Sequence, residues 1–205
     1  MTWLTRVRLP LREAAVRRLC DSYAWHQALW ESFPTRDGQT RDFLMRFGRK
    51  RDGFEAFIVS EDKPTPPAWG TWETKEIADS FLAHDRYRFS LRANPTVKRT
   101  ALDEKGEIKK NSRRVAIYNE GALREWLRRK AEQGGFAVED VSFTPPVRQS
   151  FRKKGQRGTH AAVDFEGVLR VTDRQAFRES FAKGIGSAKA FGFGMLMLMP
   201  VRDDA

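Results

Sequence analysis

Metal ligands are scarce in this chain. Its 205 residues hold one cysteine, Cys20, and three histidines, His26, His84 and His160, set far apart. A lone cysteine excludes an internal disulfide, which suits a reducing cytoplasm. So few scattered Cys and His exclude a zinc site built from them. Closely spaced Asp and Glu are missing too, so a two-metal phosphodiesterase centre has no ligand set. Phosphate chemistry is therefore expected to proceed without metal or other cofactor. No window approaches the roughly 18 consecutive apolar residues of a membrane span. Met1–Arg8 alternates as a strand does and has no signal-peptide core. These absences predict a cytoplasmic protein with no membrane partner.

Positive charge, by contrast, is abundant. Lys and Arg number 38 against 27 Asp and Glu, a net charge of +11. Polyanions, nucleic acid above all, are the default partner of such a surface. An apolar share of 40% with 15 phenylalanines supplies a globular core.

The order of elements predicts two similar halves. A strand over residues 1–9 ends at Pro10, and a helical stretch follows over Leu11–Cys20. A second helix, Tyr23–Phe33, is opened by the capping residues Asp21 and Ser22 and closed by Pro34. Thr35–Gly38 is a turn. Asp42–Phe47 and Phe54–Ser60 read as strands around the basic loop Gly48–Gly53. Thr71–Ser80 is weakly patterned, and Tyr87–Ala93 alternates apolar with basic residues. Residues 1–95 thus fit a ferredoxin-like βαββαβ unit closed by Tyr87–Ala93. The polar stretch 96–113 reads as a linker. Over 114–205 the pattern restarts with helix Glu120–Gln133, strand Phe136–Phe143 and strands Val147–Lys153 and Thr159–Val171. Helix Asp173–Lys183, the glycine-rich loop Gly184–Gly194 and strand Met195–Met199 complete it. The expected fold is α+β, two tandem ferredoxin-like (RRM-like) βαββαβ domains.

Three constellations carry chemistry. From Val141 to Val163 there is no carboxylate, while Arg148, Arg152, Lys153, Lys154 and Arg157 fall on a predicted hairpin. Such a run is either a solvated face or a two-stranded arm that lies along a nucleic-acid groove and pairs phosphates. His160 stands at the end of this hairpin, within reach of phosphate. Gly184–Gly194 is neither a Walker A loop, because Ala190 follows Lys189, nor a dinucleotide fingerprint, because Lys189 replaces the required small residue. It remains a helix-to-strand crossing packed through its glycines, or a loop whose backbone, Ser187 and Lys189 approach a phosphate. Both can hold together.

The third constellation is Tyr23 and His26, one helical turn apart beside Trp25 and Trp30. A histidine in such company is either core filling or a proton carrier. In a basic protein without metal ligands, RNA is the substrate that supplies its own nucleophile, the 2′-hydroxyl. Its cleavage needs a base for that hydroxyl, an acid for the 5′-oxygen and cations near the phosphorane charge. Histidine titrates in the range such proton transfer needs, and a tyrosine one turn away can orient it.

Five segments, in order, resemble one family. They are Tyr23-x-x-His26-Gln27-x-Leu29-Trp30-x-x-Phe33-Pro34, Arg41-Asp42-Phe43-Leu44, Phe89-x-Leu91-Arg92-Ala93-Asn94-Pro95, Phe165-Glu166-Gly167-Val168-Leu169, and the whole loop Gly184–Gly194. The family is that of the CasE subunits, repeat-processing endoribonucleases of type I-E CRISPR Cascade complexes. The resemblance implies metal-independent cleavage at the 3′ base of a repeat stem-loop, leaving a 5′-hydroxyl and a 2′,3′-cyclic or 3′-phosphate end. The enzyme would be monomeric when free, then keep its crRNA and join the other Cascade subunits. It also implies His26 and Tyr23 as catalytic residues and a basic hairpin, here Arg148–Arg157, that reads the stem. Two other readings stand beside it: a catalytically silent stem-loop-binding scaffold, and a general basic DNA-binding protein.

Overall fold

Alternation gives the first strand its two faces. In β1 (Trp3–Pro10) Val7 and Leu9 are buried while Arg8 between them is exposed, the period of a half-buried strand. The computed structural model describes residues 1–34, 43–99, 113–153 and 155–201. The predicted turn Thr35–Gly38, Arg41-Asp42 of the second motif and Lys154 lie outside them. Helix α1 (Leu11–Val16) is shorter than predicted, because the chain turns through Arg17 and a left-handed Arg18 (φ 54°) and sends Leu19 into the core. Helix α2 (Ser22–Trp30) follows, capped by Asp21 as expected.

Strands β2 (Leu44–Arg49), β3 (Gly53–Ser60) and β4 (Thr71–Glu76) join β1 in an antiparallel sheet ordered β2-β3-β1-β4. Two expectations for this half are corrected. The closing strand is Thr71–Glu76, whose weak pattern reflects an edge position where only Trp72 and Thr74 are half-buried. No helix precedes it. The connection from β3 carries Pro64, Pro66 and Pro67, which lack the N–H a helix needs.

The chain continues through β5 (Arg86–Ala93), a ribbon of β6 (Thr96–Arg99) and β7 (Arg113–Ala116), and α3 (Glu120–Gln133). Then come β8 (Phe136–Phe143), β9 (Val147–Lys153), β10 (Gln156–Val171), α4 (Arg174–Lys183) and β11 (Leu196–Pro200). The second sheet is ordered β11-β5-β10-β8, and β9 pairs with β10 off this path. Strand β5 was expected to close the first unit. It belongs here instead, because Leu91 registers with Phe165 and Leu196, and Tyr87 with Leu169. This half is a complete βαββαβ unit. Parts of the predicted linker form the β6–β7 ribbon inserted after its first strand.

One core packs Val7, Leu9, Met45 and Ile58 of the first sheet against Trp25 and Leu29 of α2. The other gathers Tyr87, Phe89, Leu91, Trp126, Phe165 and Phe177, and extends to Leu44 and Val59. Neighbouring residues on β2 and β3 thus enter different cores, so the first sheet is buried on both faces. Gly184, at φ 75°, lies against this junction: a Cβ there would stand 2.6 Å from Leu44 Cδ2. Each fully buried side chain of this kind contributes about 1.5–3 kcal/mol. No described helix is long and apolar enough to cross a membrane.

Candidate active site and nucleic-acid interface

The N-terminus of α2, the glycine-rich loop and the β9–β10 hairpin converge. Asp21 Oδ1 accepts the N–H groups of Tyr23 at 3.0 Å and Ala24 at 2.9 Å and starts the helix. From there the helical turn separates the side chains. Trp25 enters the core and stacks on Phe47 with centroids 5.2 Å apart. His26 is only 2% exposed. Its ring lies flat on Phe43 at 4.9 Å and 14°, and Trp30 and Phe33 stack on the same Phe43. Tyr23, half-buried, faces the glycine-rich loop, its ring 6.1 Å from Phe191.

The loop is a series of left-handed residues. Gly184, Gly186, Gly192 and Gly194 have positive φ, and so does Ala188 at 63°, leading into a 3-10 turn over Lys189–Phe191. The Lys189 ammonium is held below the usual lysine range by burial first, then by Lys130 and Lys183. Such a cation gains from an approaching phosphate. Ser187, expected to face phosphate, donates to the Asn94 carbonyl at 3.4 Å, accepts from Asn94 Nδ2 at 3.5 Å, and lines a cavity with Lys98 and Arg114.

The hairpin has two faces. Residue pairs Arg152/Arg157 and Ser150/Thr159 set Arg148, Arg152 and Arg157 on one side, all exposed. Phe151 and His160 point to the other. Gly158 makes this possible, since a Cβ there would come within 2.3 Å of the Phe151 ring. That ring stacks on His160 at 4.7 Å and meets Phe191 at 4.2 Å. His160 is therefore packed among Phe151, Phe191 and Phe193 rather than presented on the basic face. Asn94 Oδ1 is committed to the Ala161 N–H at 3.1 Å, so its Nδ2 faces His160 Nδ1 at 3.3 Å. Nδ1 must then accept, which needs a neutral ring, and burial lowers the His160 pKa in agreement. Lys153 continues β9 opposite Gln156. His84 is exposed and takes no part in this convergence.

Sequence reasoning missed one basic surface. A cavity of about 480 Å³ beside Gly186 and Ser187 is lined by Lys98, Arg114, Trp126, Arg129 and Lys130 and, among the described residues, by no carboxylate. Of these cations Lys98 lies within the stretch read as a linker, Arg114 directly after it, and Arg129 and Lys130 on α3. The basic pairs Lys98-Arg99 and Arg113-Arg114, at either end of that stretch, were the available signal. Among the described residues no three His, Cys, Asp or Glu side chains gather as metal ligands do.

The sequence matches the family model described as CRISPR associated protein over residues 2–200. It is 35% identical over 188 residues to the CRISPR system Cascade subunit CasE of Escherichia coli (strain K12), covering 88% of this chain and 93% of that protein. It is 28% identical over 219 residues to the CRISPR-associated endoribonuclease Cse3 of Thermus thermophilus, covering 97% of this chain and all of that protein. The solved structure of Thermus thermophilus Cse3 bound to an RNA representing a pre-cleavage complex has a TM-score of 0.78 at 26% identity, over 97% of this chain and 99% of that one.

Proposed function

This chain belongs to the CRISPR-associated protein family that includes the Cascade subunit CasE, and from that premise we propose that it is an endoribonuclease of CRISPR repeat RNA. It cuts the precursor at the 3′ base of the repeat stem-loop and keeps the crRNA as part of Cascade. The observation that carries this reading is the meeting of Tyr23 and α2, the Lys189 loop and the exposed arginines of the hairpin at one place. RNA held there by Arg148, Arg152 and Arg157 lies beside the helix that carries His26.

The chemistry is attack of the 2′-hydroxyl on the adjacent phosphorus. It leaves a 2′,3′-cyclic phosphate or 3′-phosphate and a 5′-hydroxyl, and uses no metal. His26 gives or takes a proton, Tyr23 orients or assists it, and Lys189 with the hairpin cations offsets the charge growing on the phosphorane. Proton transfer requires the imidazole to leave its shelter against Phe43, so RNA binding must open the site. The basic cavity by Lys98 and Arg114 extends the positive surface past the loop and takes backbone flanking the stem.

The test is cleavage of labelled repeat RNA in EDTA. Wild type cuts and leaves the ends named above, while His26→Ala binds but does not cut. Full activity in that variant overturns the assignment. The near-complete burial of His26 favours a second reading, a stem-loop scaffold without turnover. RNA that survives prolonged incubation with wild-type protein decides for it.

A further inference from the structure

The carboxylate of Asp21 holds two distant parts of the chain. While Oδ1 caps α2, Oδ2 accepts the backbone N–H of Arg152 at 2.8 Å, across 131 residues of sequence. Among the described residues strand β9 is paired with β10 on one side only, and this N–H points from its other edge to the helix. Hydrogen bonds to an ionised acceptor are shorter and about twice as strong as neutral ones. One face of the hairpin is already fastened by the rings of Phe151, His160 and Phe191. Nearer its tip, Arg152 is tied to the first turn of α2. A carboxylate at a surface that binds a polyanion opposes binding, so its place there is explained by geometry rather than affinity.

We propose that Asp21 is a positioning residue that locks the basic hairpin to the N-terminus of α2, and thereby sets where hairpin-bound RNA stands relative to Tyr23 and His26. This rests on the endonuclease reading above. Displacing reacting groups by about 1 Å costs up to about a hundredfold in rate, so a loosened hairpin slows cleavage without weakening capture.

Asp21→Asn separates the two roles. Asparagine caps helices as well as aspartate does, but with its oxygen on the cap it turns an N–H₂ toward the Arg152 N–H. Single-turnover cleavage of a labelled transcript of the CRISPR repeat from the same genome slows about tenfold in this variant. Its affinity for the same RNA with a 2′-deoxy residue at the cut is equal to or tighter than that of wild type, and the thermal midpoint is unchanged. Arg152→Pro removes the N–H, whereas Arg152→Ala removes only the cation. Asp21→Asn therefore slows cleavage further in the alanine background and not in the proline one. Cleavage by Asp21→Asn at the wild-type rate, equal slowing in both backgrounds, or affinity that falls with the rate overturns the proposal. Amide exchange at Arg152, measured without RNA, separates this failure from that of the endonuclease reading. Exchange as fast in wild type as in Asp21→Asn removes the lock itself, while wild-type protein that never cuts RNA removes only the endonuclease.

Discussion

The second sheet carries helices α3 and α4 across one face, and its other face is polar and ion-paired, with Arg92 on Asp164 and Arg86 on Glu139. The first sheet has the same strand order but lacks the helix between its last two strands. It buries its other face on the second unit through Leu44 and Val59. A sheet with both helices closes its own core, whereas a sheet with one side uncovered needs a neighbour. The difference has a consequence for the site. Because the first half is packed onto the second, α2 stands at a fixed place beside the loop and the hairpin, which belong to the other half. Under the proposed function, the first unit supplies proton chemistry and the second supplies RNA capture.

The sharpest way to break that division is His26→Ala. Its cleavage rate drops by about 10²–10⁴-fold, the range for loss of a general acid or base, while affinity for a 2′-deoxy repeat RNA stays at the wild-type value. An equal loss of affinity would assign His26 to binding and erase the contrast. Next in size is Leu44→Ala, which empties space in the shared core and lowers stability by about 2–4 kcal/mol, read from denaturant unfolding. A cost near that of a surface substitution would mean the two units are not interdependent.

Reversing charge at Arg152 and Arg157 acts on the second unit alone. RNA binding weakens about 10–100-fold, and the slope of log affinity against log salt falls by roughly two charges' worth. An unchanged slope would move the phosphate contacts to the Lys98–Arg114 cavity. The smallest effect is in His160. Burial holds its pKa below the ordinary value, so the unfolded chain protonates before the folded one as pH falls. Between the folded pKa and about 6.5 the unfolded state carries more protons, and stability rises with pH by at most about 1.4 kcal/mol per unit. Above that window the dependence vanishes. His160→Phe keeps an aromatic ring there and removes the proton, so the thermal midpoint of the variant changes less than that of wild type from about pH 5 to 6.5. Identical slopes would mean that this ring does not titrate against the fold.

Much of this was legible in the chain itself. Alternation marked β1, β3, β5 and the two-faced hairpin, and Asp21 announced the start of α2, because these features depend on residues a few positions apart. The Tyr23–His26 spacing and the glycines before Met195 were equally local. The partner of β5 was not legible. Its alternation says that it is a strand, while its sheet is chosen by the fit of Phe89 and Leu91 against Phe165 and Leu198. The edge strand β4 was obscured because one-sided pairing relaxes the pattern that identifies strands. His160 read as a phosphate contact because sequence distance placed it on the hairpin, yet its face of the strand meets three phenylalanines.

By itself, then, the sequence determined the elements, their caps, the excess of positive charge and the motifs that place the chain in its family. These rest on periodicities of 2 and 3.6 and on charges that stay in water wherever they fall. Only the tertiary structure decided that the first sheet is buried on both faces, that β5 crosses into the second unit, and that Asp21 bridges α2 to the hairpin. Each of these depends on which side chains meet across long stretches of chain. Contacts of that kind are selected by the summed fit of many buried surfaces, and no single stretch of residues encodes them.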